Sequence, residues 1–207
     1  LLSGESVALI SDAGTPLISD PGYRLVSLVK NNGIQVIPVP GSCALIAALS
    51  ASGIASDKFS FEGFLPAKSG ARRQALEALK DSDHTLIFYE SPRRLLDTLS
   101  DCVTVFGAQR RASLARELTK LHETIETRSL LSLRDWVEQD LNQQRGECVL
   151  LIEAASETPA VEERELSRVL TLLIPEMPVK KAATLAAALT GGKKNEAYQL
   201  ALKLQQK

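Results

Sequence analysis

With 207 residues, 44% of them hydrophobic, the chain can bury a self-supporting core as one ordinary domain or two small ones, which excludes intrinsic disorder. Its 24 basic residues nearly balance its 25 acidic ones, so any site for a polyanion must be a local patch. No apolar run approaches the roughly 18 residues of a membrane-spanning helix, so we expect no membrane contact. The three widely spaced cysteines are expected to be reduced thiols of a cytoplasmic protein.

Strand and helix signals alternate through residues 1–55. The predicted elements are a strand at 7–10, a helix at 23–32, a strand at 34–39 and a helix that follows Ser42 and ends at Gly53. This β-α-β-α order is typical of a parallel sheet. Because the chain opens at Leu1 with a polar turn directly before the first strand, we expect it to begin inside a longer protein, with its first domain truncated.

Residues 56–155 repeat the alternation and are predicted to form a second α/β domain. Its predicted elements are helices at 71–80, 93–100 and 133–144 and strands at 85–89, 112–117 and 148–153. Residues 156–207 are predicted to be a linker, at 156–163, followed by a small helical module. The predicted helices of that module are 165–173, 179–189 and 195–205, and from Met177 onward it carries six lysines against Glu196 alone.

Two loops follow predicted strands and precede predicted helices, which is where open α/β sheets bind ligands. The first loop, residues 10–22, reads ISDAGTPLISDPG, and the second, residues 39–44, reads VPGSCA. Small residues allow a ligand to approach the backbone, but neither GxxxxGK[ST] nor GxGxxG is present. A nucleoside-like ligand without phosphates therefore fits better than a nucleotide, although the first loop alone also fits a pair of ordinary turns.

The segments SDAGTP, GFLPAKS, FYESPRRL and ARELTK, together with the two loops and GECVLLIE, resemble the tetrapyrrole methylase superfamily over nearly the whole chain. They are most similar to its branch that methylates small-subunit ribosomal RNA. The resemblance implies a two-domain α/β fold that binds S-adenosylmethionine between its domains. It further implies a homodimer that acts, without a metal, on a cytidine ribose 2′-hydroxyl of the decoding region, in ribosomal RNA or in the assembled small subunit.

Two alternatives remain open at this point. The acceptor could be a tetrapyrrole or another small molecule, for which clustered basic residues would be unnecessary. The chain could also be an inactive piece that binds RNA or dimerises. Three widely spaced cysteines without a CxxC pair and only two histidines give no pattern of metal ligands.

The resemblance also implies site residues, taken position by position from the matching motifs. The predicted cofactor-binding residues are Asp12, Ala13, Gly14, Thr15, Pro16, Ile18, Ser42, Cys43, Ala44, Tyr89, Glu90, Glu117, Leu118, Gly146 and Glu147. A general base is not assigned, and its candidates are Asp12, Glu90 and Glu117. Each of these three also fits a structural role: Asp12 in a turn, Glu90 before a helix cap, and Glu117 in a pair with Arg116.

Contacts to RNA phosphates require clustered lysine and arginine side chains. The predicted contacts are Lys68, Arg72, Arg73, Arg93, Arg94, Lys180, Lys181, Lys193 and Lys194. The four lysines from 180 to 194 lie near the starts of two short helices separated by a glycine turn, an arrangement like a helix-turn-helix. Each cluster also fits an ordinary solvated helix face.

Overall fold

The computed structural model of the chain describes residues 1–155 and 159–205. The chain divides into two compact units, Leu1–Ala155 and Ser156–Lys207. Of the predicted linker, residues 156–158 lie outside the described part, and residues 159–163 belong to a helix. In the described part, no helix is long and apolar enough to cross a bilayer.

The first unit is built on a five-stranded mixed sheet with the strand order β1-β2-β5-β3-β4. The strands are β1 (Phe59–Phe64), β2 (Thr85–Glu90), β3 (Arg111–Arg116), β4 (Thr124–Ser129) and β5 (Cys148–Ile152). Only the β1–β2 pair is parallel, and the other three pairs are antiparallel. The three central strands are the three that the sequence predicts in this region, and the continuous apolar runs of β2 and β5 are typical of strands buried on both faces.

Helices cover both faces of this sheet. The helices of the first unit are α1 (Tyr23–Asn31), α2 (Ala44–Ser52), α3 (Ser69–Ala78), α4 (Leu95–Phe106) and α5 (Leu130–Gln139). On β2, Leu86 and Phe88 pack with α3, α4 and α5, whereas Ile87 packs with α2 on the opposite face. Alternate side chains of a strand point to opposite faces, so one strand contributes to two separate cores.

The two strands predicted within residues 1–55 are not present. Residues 7–10 and 34–39 belong to no strand of the described chain, and Ile10 and Val39 are more than four-fifths exposed. The predictions were wrong because an apolar run becomes a strand only when its backbone pairs with a neighbouring strand, and neither segment has such a pairing within the described residues. Both helices of this region are confirmed, and Gly53 ends α2 with a φ of 66° in the left-handed region.

The second unit consists of α6 (Pro159–Leu173), α7 (Val179–Thr190) and α8 (Lys194–Gln205). Alanines of α7 and α8 pack against leucines of α6 in a small core of their own. Small side chains let these helices approach closely, and Gly191, with a φ of 74°, makes the turn between α7 and α8. The helical C-terminal module predicted from the sequence is therefore present.

The central position of β5 is testable by substitution. Leu150→Ala removes a fully buried side chain from this strand and is expected to lower the free energy of unfolding by about 2–5 kcal/mol. Leu141→Ala is the control, because Leu141 is 67% exposed, and its effect should stay within about 0.5 kcal/mol. Urea denaturation measures both, and equal losses would contradict the placement of β5.

Candidate functional site

A cavity of about 360 Å³ opens in the first unit at one end of the central strands, and we call this end of the strands the cavity edge of the sheet. The antiparallel register brings the last residues of β2 and β3 beside the first residues of β5, with Glu90 and Arg116 both paired to Cys148. The parallel pairing of β1 with β2 adds Phe64 at the same edge. The cavity is lined by Ala13, Gly14, Thr15, Ile18, Cys43, Ala44, Phe64, Tyr89, Glu90, Ser91, Pro92, Ala115, Leu118, Gly146, Glu147, Cys148 and Val149.

One wall of the cavity joins the first loop to the start of α2. The Thr15 hydroxyl donates to the Ser42 carbonyl oxygen at 2.9 Å, which ties the two glycine-containing loops together. The Leu45 backbone N–H donates to the Tyr89 hydroxyl at 3.3 Å, which ties α2 to the end of β2. Burial and the neighbouring Cys43 raise the pKa of Tyr89, so its phenol keeps its proton at neutral pH.

The opposite wall is held by Glu117 through two hydrogen bonds to one residue. The Glu117 backbone N–H donates to the Glu147 carbonyl oxygen at 2.9 Å, and the Glu147 N–H donates to the Glu117 carboxylate at 2.9 Å. The Lys120 ammonium bridges the carboxylates of Glu117 and Glu147 at 2.9 and 3.0 Å. We call this arrangement the Glu117 clamp, and it fixes the turn at Gly146 and Glu147 that lines the cavity.

Backbone strain accompanies the Glu117 clamp. Glu117 has a φ of 53°, a left-handed conformation that is costly for a residue with a Cβ and is kept only where the surroundings enforce it. Gly146 has a φ of 82°, and a Cβ at this position would overlap the Glu117 side chain. Position 146 therefore requires glycine both for its backbone conformation and for space.

The structure brings most of the predicted cofactor-binding residues together around the cavity. Four of them do not line it: Asp12, Pro16, Ser42 and Glu117. Ser42 and Glu117 instead support the walls, through the Thr15 hydrogen bond and the Glu117 clamp. Six residues that line the cavity were not predicted from the sequence: Phe64, Ser91, Pro92, Ala115, Cys148 and Val149. Phe64 lies inside the GFLPAKS segment and Ser91 and Pro92 lie inside FYESPRRL, so these two motifs were the sequence signal from which the three residues could have been predicted.

None of the three candidate bases presents a free carboxylate to the cavity. The Glu90 side chain is buried and accepts hydrogen bonds from Arg94, Thr98 and the Ser91 backbone. Glu117 pairs with Lys120 rather than with Arg116, and the hydrogen bond from Lys120 lowers the pKa of Glu117, which makes it a weaker base. Asp12 is exposed and does not line the cavity. The general base stays unassigned.

The predicted RNA contacts of the first unit separate into buried and exposed residues. Arg72 is 3% exposed and donates to Asp101 at 2.6 Å, so the structure places this predicted phosphate contact in the interior rather than on the surface. Arg94 is likewise committed to Glu90, and Arg73 shares Asp101 although about half of its side chain is exposed. Lys68 and Arg93 are exposed, and neither has an ion pair in the described part of the chain. The four lysines of the second unit, Lys180, Lys181, Lys193 and Lys194, are also exposed.

Asp101 explains why Arg72 is held in the interior. Burial by itself raises the pKa of the Asp101 carboxyl, but hydrogen bonds from Arg73, Arg72 and Ser69 outweigh it and hold that pKa below its usual value. A buried carboxylate must be paired, since an uncompensated charge in the interior is strongly destabilising. Sequence clustering alone does not distinguish such an arginine from one on the surface.

Metal ligands do not gather around this cavity or elsewhere in the described residues, where no group of three or more histidine, cysteine, aspartate or glutamate side chains is placed to hold a metal ion. Burial raises the pKa of the Cys148 thiol to about 12, so this cavity-lining sulfur is protonated and a poor nucleophile at neutral pH. The arrangement suits binding and alignment of a ligand rather than covalent catalysis.

Two family models match the chain, one in each of its two compact units. The sequence model of the family described as Tetrapyrrole (Corrin/Porphyrin) Methylases matches residues 1–134, and that of the RsmI C-terminal HTH domain matches residues 160–205. The chain is 60% identical to a Pseudomonas aeruginosa protein named Ribosomal RNA small subunit methyltransferase I, covering 100% of this chain and 74% of that protein. It is 52% identical to a protein of the same name from Escherichia coli O157:H7, covering 99% and 72%.

Among solved structures, the chain resembles the methyltransferase CobJ, with a TM-score of 0.50 and 18% identity, over 69% of this chain and 62% of the other. It also resembles a conserved hypothetical protein from Aeropyrum pernix K1, with a TM-score of 0.51 and 14% identity, over 91% and 66%. At these identities the likeness concerns the fold alone.

The requirement for glycine at position 146 gives a prediction with a matched control. Gly146→Ala combines an unfavourable φ with displacement of Glu117, whereas Gly107→Ala has a similar φ of 92° but open space around its Cβ. We expect Gly146→Ala to destabilise the protein by about 1–3 kcal/mol more than Gly107→Ala. Thermal unfolding measures the difference, and equal melting temperatures for the two variants would show that the Glu117 clamp does not constrain this turn.

Proposed function

The chain belongs to the tetrapyrrole methylase family, as an S-adenosylmethionine-dependent methyltransferase, and on this premise we propose that it methylates a cytidine ribose 2′-hydroxyl in small-subunit ribosomal RNA. The observation that carries the proposal is the 60% identity, across the whole chain, to a protein named Ribosomal RNA small subunit methyltransferase I. We further propose that it acts in the cytoplasm as a homodimer, on ribosomal RNA or the assembled small subunit, and tunes the decoding region.

The cavity fits S-adenosylmethionine in size and in chemistry. Its volume of about 360 Å³ is within the range of small-molecule sites, and its walls are mainly apolar. Among the described residues, no lysine or arginine lines it, which suits a cationic sulfonium nucleoside better than a nucleotide phosphate. Ala13, Gly14 and Ala44 leave backbone groups accessible, while Thr15 and Tyr89 offer hydroxyls.

Methyl transfer requires mainly that the methyl donor and the acceptor oxygen be aligned. Bound S-adenosylmethionine supplies an electrophilic methyl group, and its transfer to an oxygen is an in-line displacement. Holding donor and acceptor in line contributes much of the rate acceleration of such a step. In this chain the Thr15–Ser42 hydrogen bond and the Glu117 clamp hold the two walls of the cavity in place.

The proposed reaction can be tested with the purified chain, labelled S-adenosylmethionine and three acceptors: naked small-subunit RNA, assembled small subunits and a tetrapyrrole. We expect label in RNA, recovered after nuclease digestion as 2′-O-methylcytidine by mass spectrometry. Label in the tetrapyrrole alone would identify a small-acceptor methylase. Binding of RNA without transfer to any acceptor would support the non-catalytic alternative, and both results would contradict the proposal.

A second test concerns the basic helical unit. Changing Lys180, Lys181, Lys193 and Lys194 together to glutamine should flatten the dependence of RNA affinity on salt, by about 0.7 in log–log slope for each phosphate that is no longer neutralised. The expected total change is therefore up to about 3 if all four lysines neutralise phosphates. Fluorescence anisotropy at several salt concentrations gives the slope.

The matched control changes four exposed basic residues of the first unit to glutamine: Arg24, Lys30, Lys58 and Lys80. This control carries the same change in net charge and should leave the slope nearly unchanged. Equal slopes for the two quadruple variants would show that the four lysines of the second unit contribute no more to RNA binding than other exposed basic residues.

A further inference from the structure

Two arginines that pair with buried carboxylates hold residues 64–68, the segment that runs from cavity-lining Phe64 at the end of β1 to the start of α3. Arg94 donates to the Leu65 carbonyl oxygen at 3.0 Å, and Arg72 donates to the Ala67 carbonyl oxygen at 3.2 Å. We call this segment the 64–68 loop. Two of its carbonyl groups are thus fixed by side chains that come from different elements.

Each arginine is in turn fixed by its carboxylate. Asp101 on α4, which is 2% exposed, accepts hydrogen bonds from Arg72 and Ser69. Glu90 at the end of β2 accepts from Arg94 and Thr98. A loop of five residues without such hydrogen bonds would be mobile. Because Arg72 and Arg94 are themselves held by buried carboxylates, their hydrogen bonds fix the position of the 64–68 loop.

The 64–68 loop combines a buried anchor with exposed functional groups. Leu65 is buried in the core, while the ring of Phe64 lines the cavity and remains 57% exposed. The Phe64 ring meets Tyr89 edge-on, with centroids 5.8 Å apart, and Tyr89 meets Phe61 in the same manner at 4.8 Å. Phe64 is therefore held by an aromatic neighbour without being covered by it.

Two exposed basic residues belong to the segments that adjoin Phe64. Lys68 ends the loop, and Arg93 lies next to Pro92, which lines the same cavity as Phe64. The hydrogen bond from Arg94 to Leu65 brings the segment that carries Arg93 against the 64–68 loop. An exposed aromatic ring with nearby cations is the combination by which proteins bind unpaired nucleotides, stacking the base and neutralising phosphates.

We propose that Phe64 is the platform on which the base of the acceptor nucleotide stacks, with Lys68 and Arg93 binding the flanking phosphates. This inference rests on the proposed function and deepens it, because it implies that the acceptor is an unpaired nucleotide turned out of its helix. Arg72 and Arg94 are assigned a positioning role in this arrangement, since both act through carbonyl groups of the 64–68 loop.

The test compares Phe64→Ala with Phe64→Trp and with the control Phe59→Ala, which removes a 41% exposed ring from the same strand away from the cavity. Phe64→Ala should raise the KM for RNA about tenfold to a hundredfold, the range expected when one base–aromatic stack is removed. It should raise the Kd of S-adenosylmethionine, measured by calorimetry, by a much smaller factor than the KM for RNA, because Phe64 lines the cavity but remains 57% exposed. Phe64→Trp should restore the KM, and Phe59→Ala should leave both constants unchanged.

Two results would overturn the platform. If Phe64→Ala weakens S-adenosylmethionine binding as much as RNA use, the ring belongs to the cofactor wall. If neither constant changes, the ring contacts neither ligand. Both results are distinguishable from failure of the proposed function, which would appear in the unsubstituted chain as absence of methylated RNA.

Discussion

Burial of both faces of the three central strands is the constraint on which the rest of the first unit depends. Helices α3, α4 and α5 cover one face of β2, β5 and β3, and α2 packs on the other. A strand covered on both faces has no exposed surface along its length for polar chemistry. The functional groups therefore gather where the strands end, at the cavity edge, as is general for ligand sites of α/β sheets.

Burial also requires that the charged side chains in the interior be paired. Asp101 and Glu90 lie in the interior, and each is compatible with folding only because an arginine pairs with it. Those arginines donate further N–H groups to carbonyls of the 64–68 loop, so the same side chains satisfy the buried charges and fix the loop that follows cavity-lining Phe64. Stability and site geometry are thus coupled through the same hydrogen bonds.

The sequence allowed prediction of the elements whose signal is local. The apolar runs of β2 and β5, the left-handed glycine after α2 and the helices of the second unit all follow from periodicity and capping. The edge strands β1 and β4 were missed because their side chains are mostly half-buried and polar residues interrupt the run. At residues 7–10 the error was the reverse, because a strand was predicted and none is present. An apolar run does not show whether a partner strand is available for pairing.

For the cavity, motif resemblance located the loops but could not separate the residues that line it from those that support it. Glu117 illustrates the difference: its charge suggested a base, yet its carboxylate holds the Glu147 backbone and Lys120. The comparison with CobJ shows a shared fold at 18% identity, and a fold by itself does not choose an acceptor. Acceptor choice must come from the loops at the strand ends, where one fold can carry different side chains. The 64–68 loop, which is anchored by two paired arginines and yet exposes the ring of Phe64 at the cavity, meets this requirement.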